Sequence, residues 1–202
     1  MKAIETRYKG YRFRSRLEAR WAVFFDKADI KYQYEMEGYE TTDPFTGKKV
    51  RYLPDFYLEE FDCFVEVKGS DSALKADAEK IAWMIDFNAS PISKGLLILG
   101  DLPDIDRMTW GNYPLFSYLY WDSGVHHDYA TFNDLGRLII GTNNILRNIY
   151  TYNAIETATA PDIPGMTSTE CKWANDDLRS RAVFDFIKSA YADAKAARFE
   201  FQ

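Results

Sequence analysis

Two stretches, Tyr52-Leu53-Pro54-Asp55-Phe56 and Val65-Glu66-Val67-Lys68-Gly69, decide the reading of this chain. They sit in two β-rich runs, Val50 to Leu58 and Asp62 to Lys68, joined by the short acidic connection Glu59 to Phe61, and the spacing predicts a hairpin. Period-two alternation puts Glu66 and Lys68 on one face of the second strand and Val65 and Val67 on the other. Asp55 at the middle of the first strand and Glu66 near the end of the second make a hard, anionic oxygen site. Such a site suits Mg²⁺, which keeps several waters and uses few carboxylates. Lys68 is placed to orient or help deprotonate the attacking water and to offset charge on a phosphate oxygen. These parts match metal-assisted hydrolysis of a phosphodiester.

The same loose pattern of Pro-Asp, a spacer and acid-any-Lys recurs at Pro161-Asp162 and Glu170-Cys171-Lys172. That copy lies among Pro164, Gly165, Thr167, Ser168 and Thr169, where no pair of strands holds carboxylates in register. Only the first copy has a rigid scaffold. Its bland alternative is a solvated acid on a strand end beside a surface ion pair.

Upstream, Ser15 to Ala28 reads as a helix, with Leu17, Trp21, Phe24, Phe25 and Ala28 on one face and Ser15 as N-cap. Ser15-Arg16-Leu17-Glu18 fits a capping box in which Glu18 reaches back to the Ser15 backbone N–H, worth about 1 kcal/mol or less. Glu18 also borders the buried face beside Ala22 and Phe25, where it looks across the sheet toward Asp55 and joins the acids around the metal. Lys31 to Met36 reads as a strand, followed by a loop with turn signals at Gly38, Asp43-Pro44 and Thr46-Gly47. Ser72 to Phe87 is a second amphipathic helix, with Leu74, Ala78, Ile81, Ala82 and Ile85 on its stripe. Leu96 to Leu99 is an aliphatic strand suited to a fully covered central position. Helix, three strands, helix and strand make an α/β layered unit.

Beyond it, Tyr113 to Trp121 reads as a strand, Asn133 to Asn148 as a helix and Thr151 to Thr169 as a loop. Asp176 to Phe199 closes the chain as a helix, with Val183, Phe184, Ile187, Ala190, Tyr191 and Ala194 on its apolar face. On that helix Arg181, Lys188 and Lys195 recur every seven residues. Snorkelling at the core edge explains the stripe, and a second DNA contact surface or the edge of a homodimer is the alternative.

The 202 residues carry 25 Lys and Arg against 31 Asp and Glu, a net charge of −6, with 47% apolar and 28% charged residues. This balance fits a globular chain and excludes disordered, collagen-like and disulfide-scaffold classes. An acidic average argues against general nucleic-acid affinity, so any basic surface is local. Residues 1–20 hold Lys2, Arg7, Lys9, Arg12, Arg14, Arg16 and Arg20 against Glu5 and Glu18, a local +5, interleaved with Tyr8, Tyr11 and Phe13. That mixture follows a phosphate backbone while touching sugars or bases, unless it is a solvated, frayed arm. Cys63 and Cys171 form no CxxC pair, which points to a reduced, cytoplasmic chain. The longest aliphatic run, Leu96 to Leu99, is too short for a signal peptide or a membrane span.

Other chemistries fit less well. Gly47-Lys48 lacks the upstream glycine of a P-loop, and Lys49 stands where Ser or Thr is needed. His126-His127-Asp128 reads as a surface or loop feature rather than a metal site, because adjacent histidines diverge on any regular element. Both histidines of the chain lie there, far from any Ser, Thr or Cys nucleophile scheme.

Phe13-Arg14-Ser15-Arg16-Leu17-Glu18-Ala19-Arg20-Trp21-Ala22 and the two opening stretches together resemble the PD-(D/E)XK nuclease superfamily. More narrowly they resemble a group of nucleases common in phages, prophages and their bacterial hosts, and Ala196-Ala197-Arg198-Phe199-Glu200 is similar to how that group ends. The resemblance runs from Tyr8 to Gly100. It implies a restriction-endonuclease-like α/β fold, a mixed β-sheet flanked by helices. Residues 1–100 are then the nuclease core, and residues 101–202 a helical and aromatic C-terminal extension packed on it as part of the same domain. It implies a Mg²⁺-dependent nuclease, with Mn²⁺ substituting, in which Asp55, Glu66 and Glu18 hold metal and Lys68 completes the catalytic set. The partner is nucleic acid, DNA first, cleaved internally in the cytoplasm of a bacterium or phage-infected host. Arg14, Arg16 and Arg20 are the expected phosphate contacts, with Lys75 as the basic residue of the second helix. The alternative is a non-catalytic nucleic-acid-binding or assembly subunit that keeps the fold. A third reading takes the aromatic second half, Tyr113 to Trp121 above all, as a protein interface.

Overall fold

The computed structural model describes residues 3–43, 46–86, 95–108, 112–121, 125–133, 137–141, 156–159 and 178–199. The chain starts with β1 (Thr6–Tyr8) and β2 (Tyr11–Phe13), paired antiparallel with Tyr8 opposite Tyr11, so the turn is Lys9-Gly10 alone. Both turn residues have positive φ, 46° and 85°, which matches the twist of the strands they join. Glycine adopts this without strain. The basic arm is therefore folded rather than frayed, and much of its charge is spent locally. Arg12 pairs with Glu5, Lys9 with Asp26 at 3.0 Å, and Arg14 with Glu35 and Asp55 at 2.6 and 2.7 Å.

Helix α1 (Arg16–Lys27) begins at its expected N-cap, with Ser15 Oγ accepting the Glu18 N–H at 3.1 Å. Residues from Trp21 to Phe25 are all buried, more than one face allows, because the helix lies between the sheet and α3 (Leu178–Ala196). Phe24 stacks on Tyr191 of α3 at 4.1 Å, Trp21 meets Phe116 at 5.7 Å, and the Trp21 indole N–H donates to the Gly100 carbonyl at 2.7 Å. The basic stripe of α3 serves docking: Lys188 donates to the Met108 carbonyl at 2.9 Å and Lys195 lies 3.8 Å from Asp104. The side chain of Arg181 lies outside the described ones.

The strands are β3 (Tyr32–Tyr34), β4 (Tyr39–Thr42), β5 (Lys49–Tyr52), β6 (Phe56–Leu58), β7 (Cys63–Val67), β8 (Leu96–Leu99), β9 (Asn112–Trp121), β10 (Val125–Asn133), β11 (Arg137–Gly141) and β12 (Glu156–Thr159). The main sheet runs β11-β10-β9-β8-β7-β6-β3, with β12 on β9. Its only parallel pair among the described residues is β7 and β8, joined through α2 (Asp71–Asp86), as a parallel connection requires. The chain is thus mixed α/β. β8 is buried along its length at the centre, as its composition predicts. The main sheet continues across residue 100, since β8 pairs with β9.

Five readings of the sequence are corrected. The run Val50 to Leu58 is not one strand: β5 pairs with β4 in a separate two-stranded sheet, while β6 pairs with β7 in the main one. The chain changes sheets at Leu53-Pro54, because proline gives no N–H to a ladder and restricts the residue before it. The stretch expected as a loop after Gly38 is thereby the outer strand and turn of the β4–β5 hairpin, with Gly47 at φ 68°. The helix expected over Asn133 to Asn148 is instead β11 where described, its Leu138-Ile139-Ile140 run paired along β10. A short β-branched run bounded by glycines has too few residues for a helix and an open ladder beside it. The extension after residue 100 is accordingly richer in strand than expected. β12 falls within the Thr151 to Thr169 loop, and His126 and His127 lie on β10 rather than in a loop. The second copy of the Pro-Asp pattern lies outside the described residues.

Candidate functional site

Asp55 stands just past the Pro54 break, where its backbone is held from both sides. Its N–H donates to the Val65 carbonyl at 3.0 Å, and its carbonyl accepts the Glu35 N–H at 2.9 Å. Its Oδ2 accepts the Val67 N–H at 2.7 Å, so backbone and carboxylate together fasten Asp55 to β7 at the two residues flanking Glu66. Asp55 Oδ1 takes the Arg14 guanidinium at 2.7 Å. Glu66 Oε1 pairs with Lys68 at 2.7 Å, and its Oε2 accepts the Tyr52 hydroxyl. Lys68 in turn pairs with Asp77 of α2.

Glu18 comes to the same place from α1. Its Oε2 accepts the Tyr34 hydroxyl at 2.7 Å and the Arg14 N–H at 3.1 Å, and its Oε1 accepts the Ser15 hydroxyl at 2.6 Å. The capping box therefore closes on Arg14 and the Ser15 side chain rather than on the Ser15 N–H. Each acid has a donor dedicated to it, which fixes its orientation.

Glu18, Asp55 and Glu66 are 7%, 3% and 5% exposed, an unusual concentration of buried acid. Burial first, then the charges of Glu66 and Glu18, push the Asp55 carboxyl well above the usual range, against the pull of the Val67 N–H and Arg14. Burial pulls Lys68 down, but Glu66 and Asp77 outweigh it and the ammonium ends above its ordinary value. Burial and then Glu66 push Tyr52 well up, so its hydroxyl stays a neutral donor.

Glu66 and Lys68 lie at the floor of an open cleft of about 510 Å³, with Asp55 and Glu18 buried behind it. Its walls are the β4–β5 hairpin, with Tyr39, Glu40, Arg51 and Tyr52, and α2, with Asp77 and Lys80; Arg14 reaches in from the side. Of the expected phosphate contacts, only Arg14 lines it. Arg16 and Arg20 lie along α1 and Lys75 is exposed on α2, none of them on the cleft. Sequence reading passed over Tyr34, Tyr52, Asp77 and Lys80. Tyr52 lies within the quoted motif and carried a signal; Asp77 and Lys80 read as ordinary surface charges of a helix.

Among the described residues, no three acid, histidine or cysteine side chains form a ready-made metal cage. The donors fit Mg²⁺ in another way, since that ion takes one or two carboxylates and completes its shell with water. Asp55 and Glu66 are hard oxygen donors with lone pairs beyond their present bonds. Around them Glu18, Glu35, Asp55, Glu66 and Asp77 face Arg14, Lys68 and Lys80, five acids against three bases and a formal −2. Of these acids Glu18, Asp55 and Glu66 are buried, and a divalent counter-ion would offset their mutual repulsion. Cys63 is unsuited to chemistry, because burial and then Asp62 push its thiol up to about 12. No family model, no curated protein and no solved structure matches this chain.

Proposed function

We propose that this protein is a Mg²⁺-dependent nuclease of restriction-endonuclease-like fold, hydrolysing phosphodiester bonds in nucleic acid and acting on DNA as an endonuclease. The observation that carries the reading is the fastening of Asp55 to either side of Glu66, with Lys68 paired to Glu66 on the same strand. Asp55 and Glu66 would hold the ion, and Glu18 adds negative charge beside them. When bound, Mg²⁺ or Mn²⁺ polarises the phosphate and lowers the pKa of water. Lys68 stays an ammonium between Glu66 and Asp77, so it orients the attacking water and offsets developing charge rather than taking a proton. Water oxygen attacks phosphorus and gives up a proton to solvent, the P–O ester bond breaks, and the leaving oxygen takes a proton from solvent.

The test is a titration of Mg²⁺ or Mn²⁺ against plasmid, linear, branched and single-stranded DNA. Cut products that need the ion, and that vanish in a folded Lys68→Ala variant, are expected; undiminished cutting by that variant overturns the assignment. A binding or assembly subunit is the second reading, favoured by the ion pairs of Arg14 and Lys68 that already occupy one oxygen each of Asp55 and Glu66. Nucleic-acid binding without a cut product at any metal concentration selects it.

A further inference from the structure

We propose that the cleft between the β4–β5 hairpin and α2 takes one unpaired nucleic-acid strand, gripped by Arg51 and Lys80 from opposite walls. The proposal rests on the nuclease reading and adds the form of its substrate.

Depth carries the argument. A phosphate must come within hydrogen-bond reach of Lys68 to be attacked, and that side chain is only 13% exposed at the cleft floor. There the walls are drawn together: Tyr52 ties β5 to Glu66, Asp77 ties α2 to Lys68, and Lys80 Nζ lies 5.2 Å from the centre of the Tyr52 ring. A B-DNA duplex, whose major groove alone is about 12 Å wide, would have to bring a phosphate down to Lys68 between Arg51 and Lys80 on the two walls. An unpaired strand, one backbone wide, descends. The volume of about 510 Å³ is that of a site enclosing a single small ligand, room for about one or two nucleotides.

Cations reach the cleft from both walls. Arg14, Arg51, Lys68 and Lys80 line it together with Glu40, Glu66 and Asp77, and Asp55 lies behind Arg14. Arg51 is 78% exposed with Glu40 at 2.8 Å, and Lys80 has only a long 3.8 Å approach to Asp77 beside its contact with the Tyr52 ring. Both can turn to a phosphate at little loss.

The experiment measures binding by fluorescence anisotropy, using an Asp55→Asn chain and labelled oligonucleotides of one sequence as single strand, blunt duplex and duplex with an unpaired tail. Single and tailed forms are expected to bind at least about tenfold tighter than the blunt duplex. Lys80→Gln and Arg51→Gln should each weaken single-strand binding and lower the slope of log affinity against log salt by about one. Lys80→Arg should restore the slope, which excludes misfolding as the cause. In the cleaving wild-type background the two Gln variants should raise KM more than they lower kcat. Equal affinity for blunt and tailed duplexes, or an effect of Lys75→Gln as large as that of Lys80→Gln, overturns the proposal while leaving the nuclease reading intact. No binding and no cutting of any form sinks both.

Discussion

Two acid–base clusters flank Tyr52. On the β4–β5 hairpin Glu40 pairs with Lys49 and with Arg51 at 2.8 Å in the open; at the cleft floor buried Glu66 pairs with Lys68, and behind it buried Asp55 pairs with half-exposed Arg14. The same residue types meet in both places with opposite results. Lys49 and Arg51 hold the Glu40 carboxyl below its usual value, whereas burial and neighbouring acids drive Asp55 well above. What differs is solvent: water screens the hairpin charges and repays their desolvation, while the buried acids depend on their protein donors alone. The hairpin cluster is a surface ion pair of small consequence, and the buried cluster sets carboxylates against burial and one another.

The sharpest break of that contrast is Asp55→Asn. Cleavage should fall by about 10³-fold or more, the scale of removing one main stabilising group, while the metal-free melting temperature at neutral pH holds or rises. Arg14 is not stranded by the change, since it is half exposed and keeps Glu35. The sign in pH follows from Asp55 having a folded-state pKa above its unfolded value near 3.8. Its contribution to stability is full below the unfolded value and is lost as pH rises through the folded one. Wild type should therefore lose melting temperature over that window, the Asp55→Asn variant should flatten the curve, and Mg²⁺ should restore the loss in wild type alone. A melting profile of Asp55→Asn that falls in step with wild type contradicts this account.

Asp77→Asn comes next. Asp77 acts through Lys68 as a positioning residue, and loss of such an orienting group typically costs about 10- to 100-fold. Asp77→Glu should recover most of it, and combining Asp77→Asn with Lys68→Ala should add little to Lys68→Ala alone. Full additivity in that cycle breaks the link. Tyr52→Phe should cost about 1–3 kcal/mol in chemical denaturation, because it strips a donor from a buried carboxylate oxygen. An undiminished unfolding midpoint argues that Glu66 finds another donor. The smallest effect belongs to the hairpin: Glu40→Gln should leave the melting temperature unchanged at physiological salt, where such pairs are screened.

The elements near the floor were legible because their signals are local. Ser15 caps α1, the Leu96 to Leu99 run is a buried strand, and Glu66 and Lys68 share a face by period two. Less legible was the segment from Val50 to Leu58, whose composition is uniformly β-like while its two halves serve different sheets. Pro54 held the clue, but a proline reads equally as a strand end or an interruption until a partner strand is known. β11 defeated the helical reading for a similar reason, since its pairing with β10 is nonlocal. The basic arm misled by arithmetic: a count of charges over twenty residues does not see that Arg12, Lys9 and Arg14 each find an acid, two of them beyond that window.

By itself the sequence singled out Glu18, Asp55, Glu66 and Lys68 and determined the short-range periodicities that set them on a helix start and a pair of strands. Only the tertiary structure decided which bases line the cleft, that Asp77 pairs with Lys68 and Tyr52 with Glu66, and that the three acids are buried. Ion pairs, burial and the width of a cleft depend on elements brought together from distant parts of the chain, and no local pattern encodes the distance between them.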